Sequence, residues 1–112
     1  MTTREAITSI IERFQQIPIL RIVVFGSVAS GRTNADSDLD IAVVVPEPAA
    51  GQSFSRVELA VAFRRLIRDI NAEMAIDILV YTKDEFDQLS RVPSFVKTEL
   101  LDGGQTVYER AG

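Results

Sequence analysis

Asp38, Leu39 and Asp40 place two carboxylates one residue apart at the head of an apolar, β-branched run ending at Val45. In an extended strand, side chains alternate, so both acids share one face while Leu39, Ile41, Val43 and Val45 take the other. Same-face neighbours lie about 6.6 Å apart, a span that straddles two divalent ions held roughly 3.5 to 4 Å from each other. A third acid, Asp77, interrupts the apolar run Ala75 to Val80. A charge in mid-strand is costly unless it is paired or metal-bound. Brought beside the first two, each carboxylate pair about 4 Å apart would repel by about 4 kcal/mol at an effective dielectric of 20, a penalty that a cation removes. All-oxygen ligation favours Mg²⁺ or Mn²⁺, with coordination positions left open for phosphate oxygens. Two plainer readings stand beside this one. An Asp-rich stretch at a loop end is ordinarily a solvated turn, and Asp77 could pair with an arginine such as Arg21 or Arg64.

These acids need elements to position them. Thr2-Thr3-Arg4-Glu5 is a capping box ahead of Ile7, Ile10, Ile11 and Phe14, which predicts an amphipathic helix from about Thr3 to Gln16. Pro18 ends it, and Ile19 to Phe25 is expected as a buried strand punctuated by Gly26. After a polar stretch from Ser27 to Ser37, Leu39 to Val45 forms a second strand, bounded by Pro46 and Pro48. Ser55 to Glu58 caps a helix expected to reach about Asn71, with Arg64, Arg65 and Arg68 on its outer face. Met74 to Tyr81 is a third strand, Thr82 to Glu85 caps a short helix, and Ser94 to Leu101 forms one more. Gly103 and Gly104 suit a helix C-terminus, and Gln105 to Glu109 suits a short edge strand. Helices interleaved with apolar strands predict one α/β or α+β domain over residues 1–112, with a mostly covered sheet.

Composition narrows the chemistry. The 112 residues contain neither cysteine nor histidine, which removes disulfides, thiolate and imidazole ligands, and any Cys or His nucleophile or base. A formal net charge of −4 argues against nucleic acid as a partner, because phosphate backbones are held by clustered cations. No apolar run of about twenty residues and no basic-then-apolar leader pattern is found, so the expectation is cytoplasmic, away from membranes. Gly26 to Thr33 imitates a P-loop with Arg32 in the lysine position, but no long helix follows it. Asp36, Asp38 and Asp40 imitate a calcium loop, yet its obligatory glycine is Ile41 and Ile41 to Val45 has a strand pattern.

Gly26-Ser27, ten intervening residues and then Asp38-Leu39-Asp40 resemble the motif of the DNA polymerase beta-like nucleotidyltransferases. The chain is similar in particular to the minimal nucleotidyltransferases of prokaryotic toxin–antitoxin pairs, from its first helix to Gln105-Thr106-Val107-Tyr108-Glu109. The resemblance implies a palm-like mixed sheet, with Asp38 and Asp40 holding two Mg²⁺ ions. Asp77 would sit on the catalytic metal, near the acceptor hydroxyl, as candidate general base. Gly26 and Ser27 would contact the triphosphate of ATP, roles that suit a residue without a Cβ and a hydroxyl donor. Where relatives often carry an arginine, this chain has Ser30, and Arg32 two residues later is the candidate to neutralise phosphate charge. The implied activity is transfer of a nucleoside monophosphate, AMP in the first instance, to a tyrosine of a partner toxin with a HEPN domain, in a hetero-oligomer. The alternatives are a catalytically silent module that neutralises its partner by contact, and transfer to a small molecule such as an aminoglycoside.

Overall fold

Thr2 accepts the Glu5 backbone N–H at 3.1 Å and Glu5 accepts that of Thr2 at 3.0 Å, so the expected capping box opens the first helix. The computed structural model describes residues 1–26 and 38–110. Ser27, Ser30 and Arg32 lie outside the described residues. The elements are α1 (Thr3–Phe14), β1 (Arg21–Phe25), β2 (Leu39–Val45), α2 (Arg56–Leu66), α3 (Arg68–Glu73), β3 (Ile76–Thr82), α4 (Lys83–Leu89), α5 (Val96–Asp102) and β4 (Gln105–Glu109). The strands form one mixed sheet in the order β3-β2-β1-β4. β1 is antiparallel to β2 and β4, while β2 and β3 are parallel, joined by the α2–α3 crossover.

The sheet is covered on both faces, but unequally. Ile22, Val24, Leu39, Ile41, Val43, Val45, Ile76, Ile78 and Val80 pack with α1, α2 and α3 into the larger core. The other face buries Val23, Phe25, Ala42 and Val44 beneath Phe86 of α4 and Val96 and Leu100 of α5. The capping box at Thr82 and Glu85, with Glu47 accepting the Asp84 N–H at 2.8 Å, fixes α4 at the C-terminal ends of β2 and β3. The acids lie at the opposite, N-terminal ends of these two strands. Among the described residues no helix is long and apolar enough to cross a membrane.

Three expectations need correction. The helix from Ser55 to Asn71 is two helices, because Ile67 leaves helical geometry (φ −124°, ψ 26°) and turns its side chain fully into the core. Arg13 compensates by donating to the Leu66 carbonyl at 3.2 Å and forking onto the Asp69 carboxylate. β3 starts two residues later than expected, since Met74 closes α3 and Asn71 accepts the Ile76 N–H at 3.0 Å. The third concerns Asp77. Its strand alternates buried and exposed positions at the sheet edge, so Asp77 is solvent-exposed and carries no burial cost of its own. Neither proposed arginine pairs with it: Arg21 donates to the Thr106 hydroxyl, and Arg64 lines a groove with Arg65 and Arg68 on α2 and α3, against the opposite face of the sheet. Smaller differences of one or two residues concern the ends of α1, β1 and α5, and the capping box expected at Ser55 to Glu58 forms only its Ser55 half, the hydroxyl accepting the Glu58 N–H at 3.2 Å.

Phe63 is fully buried against Phe14, with ring centroids 4.6 Å apart, where α1 meets α2. Phe63→Ala is expected to destabilise the fold by about 3–5 kcal/mol, read as a lower urea midpoint at unchanged slope.

Candidate active site

Two constraints bring the acids together. Strand alternation puts Asp40 on the thinly covered face, with Ala42 and Val44. The parallel register then makes Asp77 the direct neighbour of Asp40, as Leu39 is of Ile76 and Ile41 of Ile78. Adjacent strands lie about 4.8 Å apart, so the two carboxylates face one another at the N-terminal ends of β2 and β3. Asp38 is exposed just ahead of β2, near enough to add its charge to Asp40. On the other side, Phe25 is the antiparallel partner of Asp40, and Gly26 follows immediately.

Gly26 is tied to Asp40 more closely than spacing suggests. Its φ is +74°, a left-handed conformation that glycine adopts without penalty. A Cβ at this position would fall on the Asp40 carboxylate, 3.3 Å from its Cγ. The turn that starts the loop and the carboxylate therefore occupy one space.

Asp40 is half-buried, and burial, then the charge of Asp77, then that of Asp38 push its carboxyl above the usual carboxylate range. Among the described residues no three Asp, Glu, His or Cys side chains already close into a metal-binding group. Asp40 and Asp77 converge, and Asp38 stands at the mouth. Such an arrangement fits Mg²⁺, which is held by one or two carboxylates together with waters and substrate phosphates rather than by an all-protein cage. The raised carboxyl of Asp40 fits it too, because a cation is the group that relieves a half-buried carboxylate among like charges.

The structure thus unites Gly26, Asp38, Asp40 and Asp77 at one end of the sheet. Sequence reading did not single out two exposed apolar side chains that border these residues. Leu79 lies next to Asp77 on the same face and is 37% exposed, while Phe95, 48% exposed, stands edge-on to Phe25. Neither falls in a motif, and the positions of Leu79 beside Asp77 and of Phe95 against Phe25 are legible only once strand register and the α4–α5 connection are known.

The family model of the nucleotidyltransferase domain matches residues 4–100. The chain belongs to the nucleotidyltransferase family. Comparison with curated proteins finds no match. Solved structures share the fold. The crystal structure of a toxin–antitoxin with AMP-PNP aligns over 97% of this chain and 75% of that one, at a TM-score of 0.58 and 22% identity. A proposed nucleotidyltransferase from Sulfolobus solfataricus aligns over 96% and 77%, at 0.54 and 21%. A mutant of the toxin–antitoxin MntA–HpeT aligns over 98% and 75%, at 0.53 and 19%. The resemblance to minimal nucleotidyltransferases seen in the sequence agrees with the family match and with these folds.

Two outcomes follow for this nucleotidyltransferase. Gly26→Ala forces either the backbone or the Asp40 carboxylate to move, so nucleotide transfer should fall at least about tenfold while the fold loses about 1–2 kcal/mol. Parallel transfer assays and urea titrations separate the two. For Asp40, the raised folded-state pKa means its favourable contribution is present below the unfolded value and is lost as pH rises through the folded one. In chelator, Asp40→Asn should therefore melt higher than wild type at pH 7, and the difference should vanish as the pH falls below the ordinary carboxylate range.

Proposed function

We propose that the protein is a Mg²⁺-dependent nucleotidyltransferase that moves a nucleoside monophosphate, AMP in the first instance, from a nucleoside triphosphate to a hydroxyl of a partner protein. The observation that carries this reading is the Asp40–Asp77 pair facing across a parallel ladder beside Gly26, in a chain of this family. Asp38 and Asp40 would hold the metals with Asp77 on the catalytic one, and bound Mg²⁺ would polarise the α-phosphate and offset the charge of the leaving pyrophosphate. The chain's own part is positional and protolytic. Gly26 lets backbone amides approach the triphosphate closely, and Ser27 and Arg32 are the proposed donors beyond it. Asp77, wet and on the edge strand, accepts the proton of the incoming hydroxyl at a carboxylate oxygen. The acceptor oxygen then bonds to the α-phosphorus as the bond to the bridging oxygen breaks and pyrophosphate departs.

The acceptor is proposed to be a tyrosine of a HEPN-domain toxin in the cytoplasm, which would make this chain an antitoxin. Support comes from the toxin–antitoxin structures that share its fold, one of them with AMP-PNP.

The test is labelling of protein from α-phosphate-labelled ATP with Mg²⁺, in lysate and with a candidate toxin added. A discrete band should form with wild type, vanish with the double variant Asp38→Ala, Asp40→Ala, and fail to form from γ-labelled ATP. Asp77→Asn should lower turnover roughly 10²- to 10⁴-fold. Absence of variant-sensitive labelling from ATP, GTP, CTP and UTP with the toxin present would refute the reading.

A further inference from the structure

Phe25, Asp40 and Asp77 form one row across β1, β2 and β3, each the register neighbour of the next. With strands about 4.8 Å apart, the two ends of the row are separated by about 10 Å. The β3 end is the open sheet edge, where Asp77 is exposed. At the β1 end, Gly26 follows Phe25, and a second aromatic ring lies against Phe25. Phe95 meets Phe25 edge to face, with ring centroids 5.5 Å apart and planes at 87°. Phe25 is 8% exposed but Phe95 is 48% exposed, so one ring is spent on the core and the other presents an uncovered surface.

Phe95 is held there rather than displayed on a loose loop. The Ser94 hydroxyl donates to the Leu89 carbonyl at 2.6 Å and accepts the Lys97 N–H at 3.1 Å, stapling the end of α4 to the start of α5. Pro93 restricts the backbone just before it. Behind it α5 is wound as a π-helix, a rare geometry that recurs at functional sites, and Gly103 closes it by donating to the Thr98 carbonyl at 3.0 Å. A preset aromatic face loses little conformational freedom on binding, which is the condition for a stacking platform.

We infer that Phe95 is the nucleotide-binding residue on which the base of the nucleoside triphosphate stacks. The inference rests on the transferase reading and deepens it by assigning the base a place. The acceptor enters at the β3 end, beside Asp77. In an in-line displacement the leaving pyrophosphate points away from the acceptor, along the row toward Gly26, so the nucleoside leaves the α-phosphorus across the row, on the face where Phe95 meets Phe25. Stacking on a phenyl face is tolerant of base identity, because every base has a π-face, so Phe95 adds affinity for any nucleoside triphosphate without selecting among them.

The chain contains no tryptophan, so Phe95→Trp introduces a single indole whose fluorescence reports stacking directly, without turnover. Titration of that variant with ATP and Mg²⁺ should quench its emission, while inorganic tripolyphosphate with Mg²⁺ should not. Phe95→Ala should bind ATP roughly five- to a hundredfold more weakly by calorimetry, with tripolyphosphate affinity unchanged and melting temperature close to that of wild type. Equal ATP affinity in wild type and Phe95→Ala, with no change in indole emission, overturns the inference and leaves the transferase reading intact. Unchanged ATP affinity with reduced labelling of the partner also overturns it, by assigning Phe95 to the acceptor. If wild type binds no nucleoside triphosphate, the transferase reading falls and the inference with it.

Discussion

Like charges face one another across a parallel strand pair, and much of the architecture can be understood as holding them there. The pairing of Asp40 with Asp77 exists only in one register of β2 against β3. A slip of one residue would send Asp77 into the larger core and bring Ile78 out to the acids. That register is pinned at both ends. Asn71 accepts the Ile76 N–H, Leu39 donates to the Ala75 carbonyl at 2.9 Å, and Thr82 turns straight into the capping box of α4. A parallel connection must cross over the sheet, and here α2 and α3 do so on the face away from the acids. The meeting of the acids and the larger core thus both depend on one strand pairing.

Unequal covering of the two faces follows from the same division of labour. Three helices seal one face, whereas on the other, among the described residues, only α4 and α5 pack against the sheet. Asp77 tolerates its strand because that strand is an edge and the residue is wet. Asp40, one strand further in, does not escape so easily: half-buried beside two other acids, it keeps a carboxyl raised above its usual range. A residue that weakens the metal-free fold in its ionised form is the kind of local conflict expected where binding rather than folding sets the side chain.

Much of this was legible in the sequence, and the failures have physical reasons. The capping boxes at Thr2 and Thr82, the β2 bounds and the edge strand β4 follow from short-range rules that tertiary context does not disturb. Strand alternation gives the face of Asp40, whereas Asp38 lies just ahead of β2, where alternation does not apply. The break at Ile67 was hidden because the apolar period continues through it; only the demand of the core for Ile67, and Arg13 standing ready for the freed carbonyl, make two helices of one pattern. Asp77 was given the right strand and the wrong burial, since Ile76 to Val80 has the composition of a doubly buried strand while the sheet order puts it at an edge. Phe25 and Phe95 lie 70 positions apart and belong to no motif, so their meeting had no sequence signal.

The glycine before the loop carries the last link between fold and chemistry. A positive φ alone would explain its presence as a turn residue, and asparagine can sometimes serve that purpose. The contact with Asp40 narrows that freedom, because a Cβ on this backbone would overlap a carboxylate oxygen of Asp40, which would have to move. The close approach works in both directions. It lets the backbone at Gly26 come against the acids, and it leaves the Asp40 side chain a gap on the β1 side that no other residue type would provide. Phosphate recognition and metal ligation, assigned in the proposed mechanism to different residues, therefore share a single steric constraint, and loss of the glycine is expected to damage both at once.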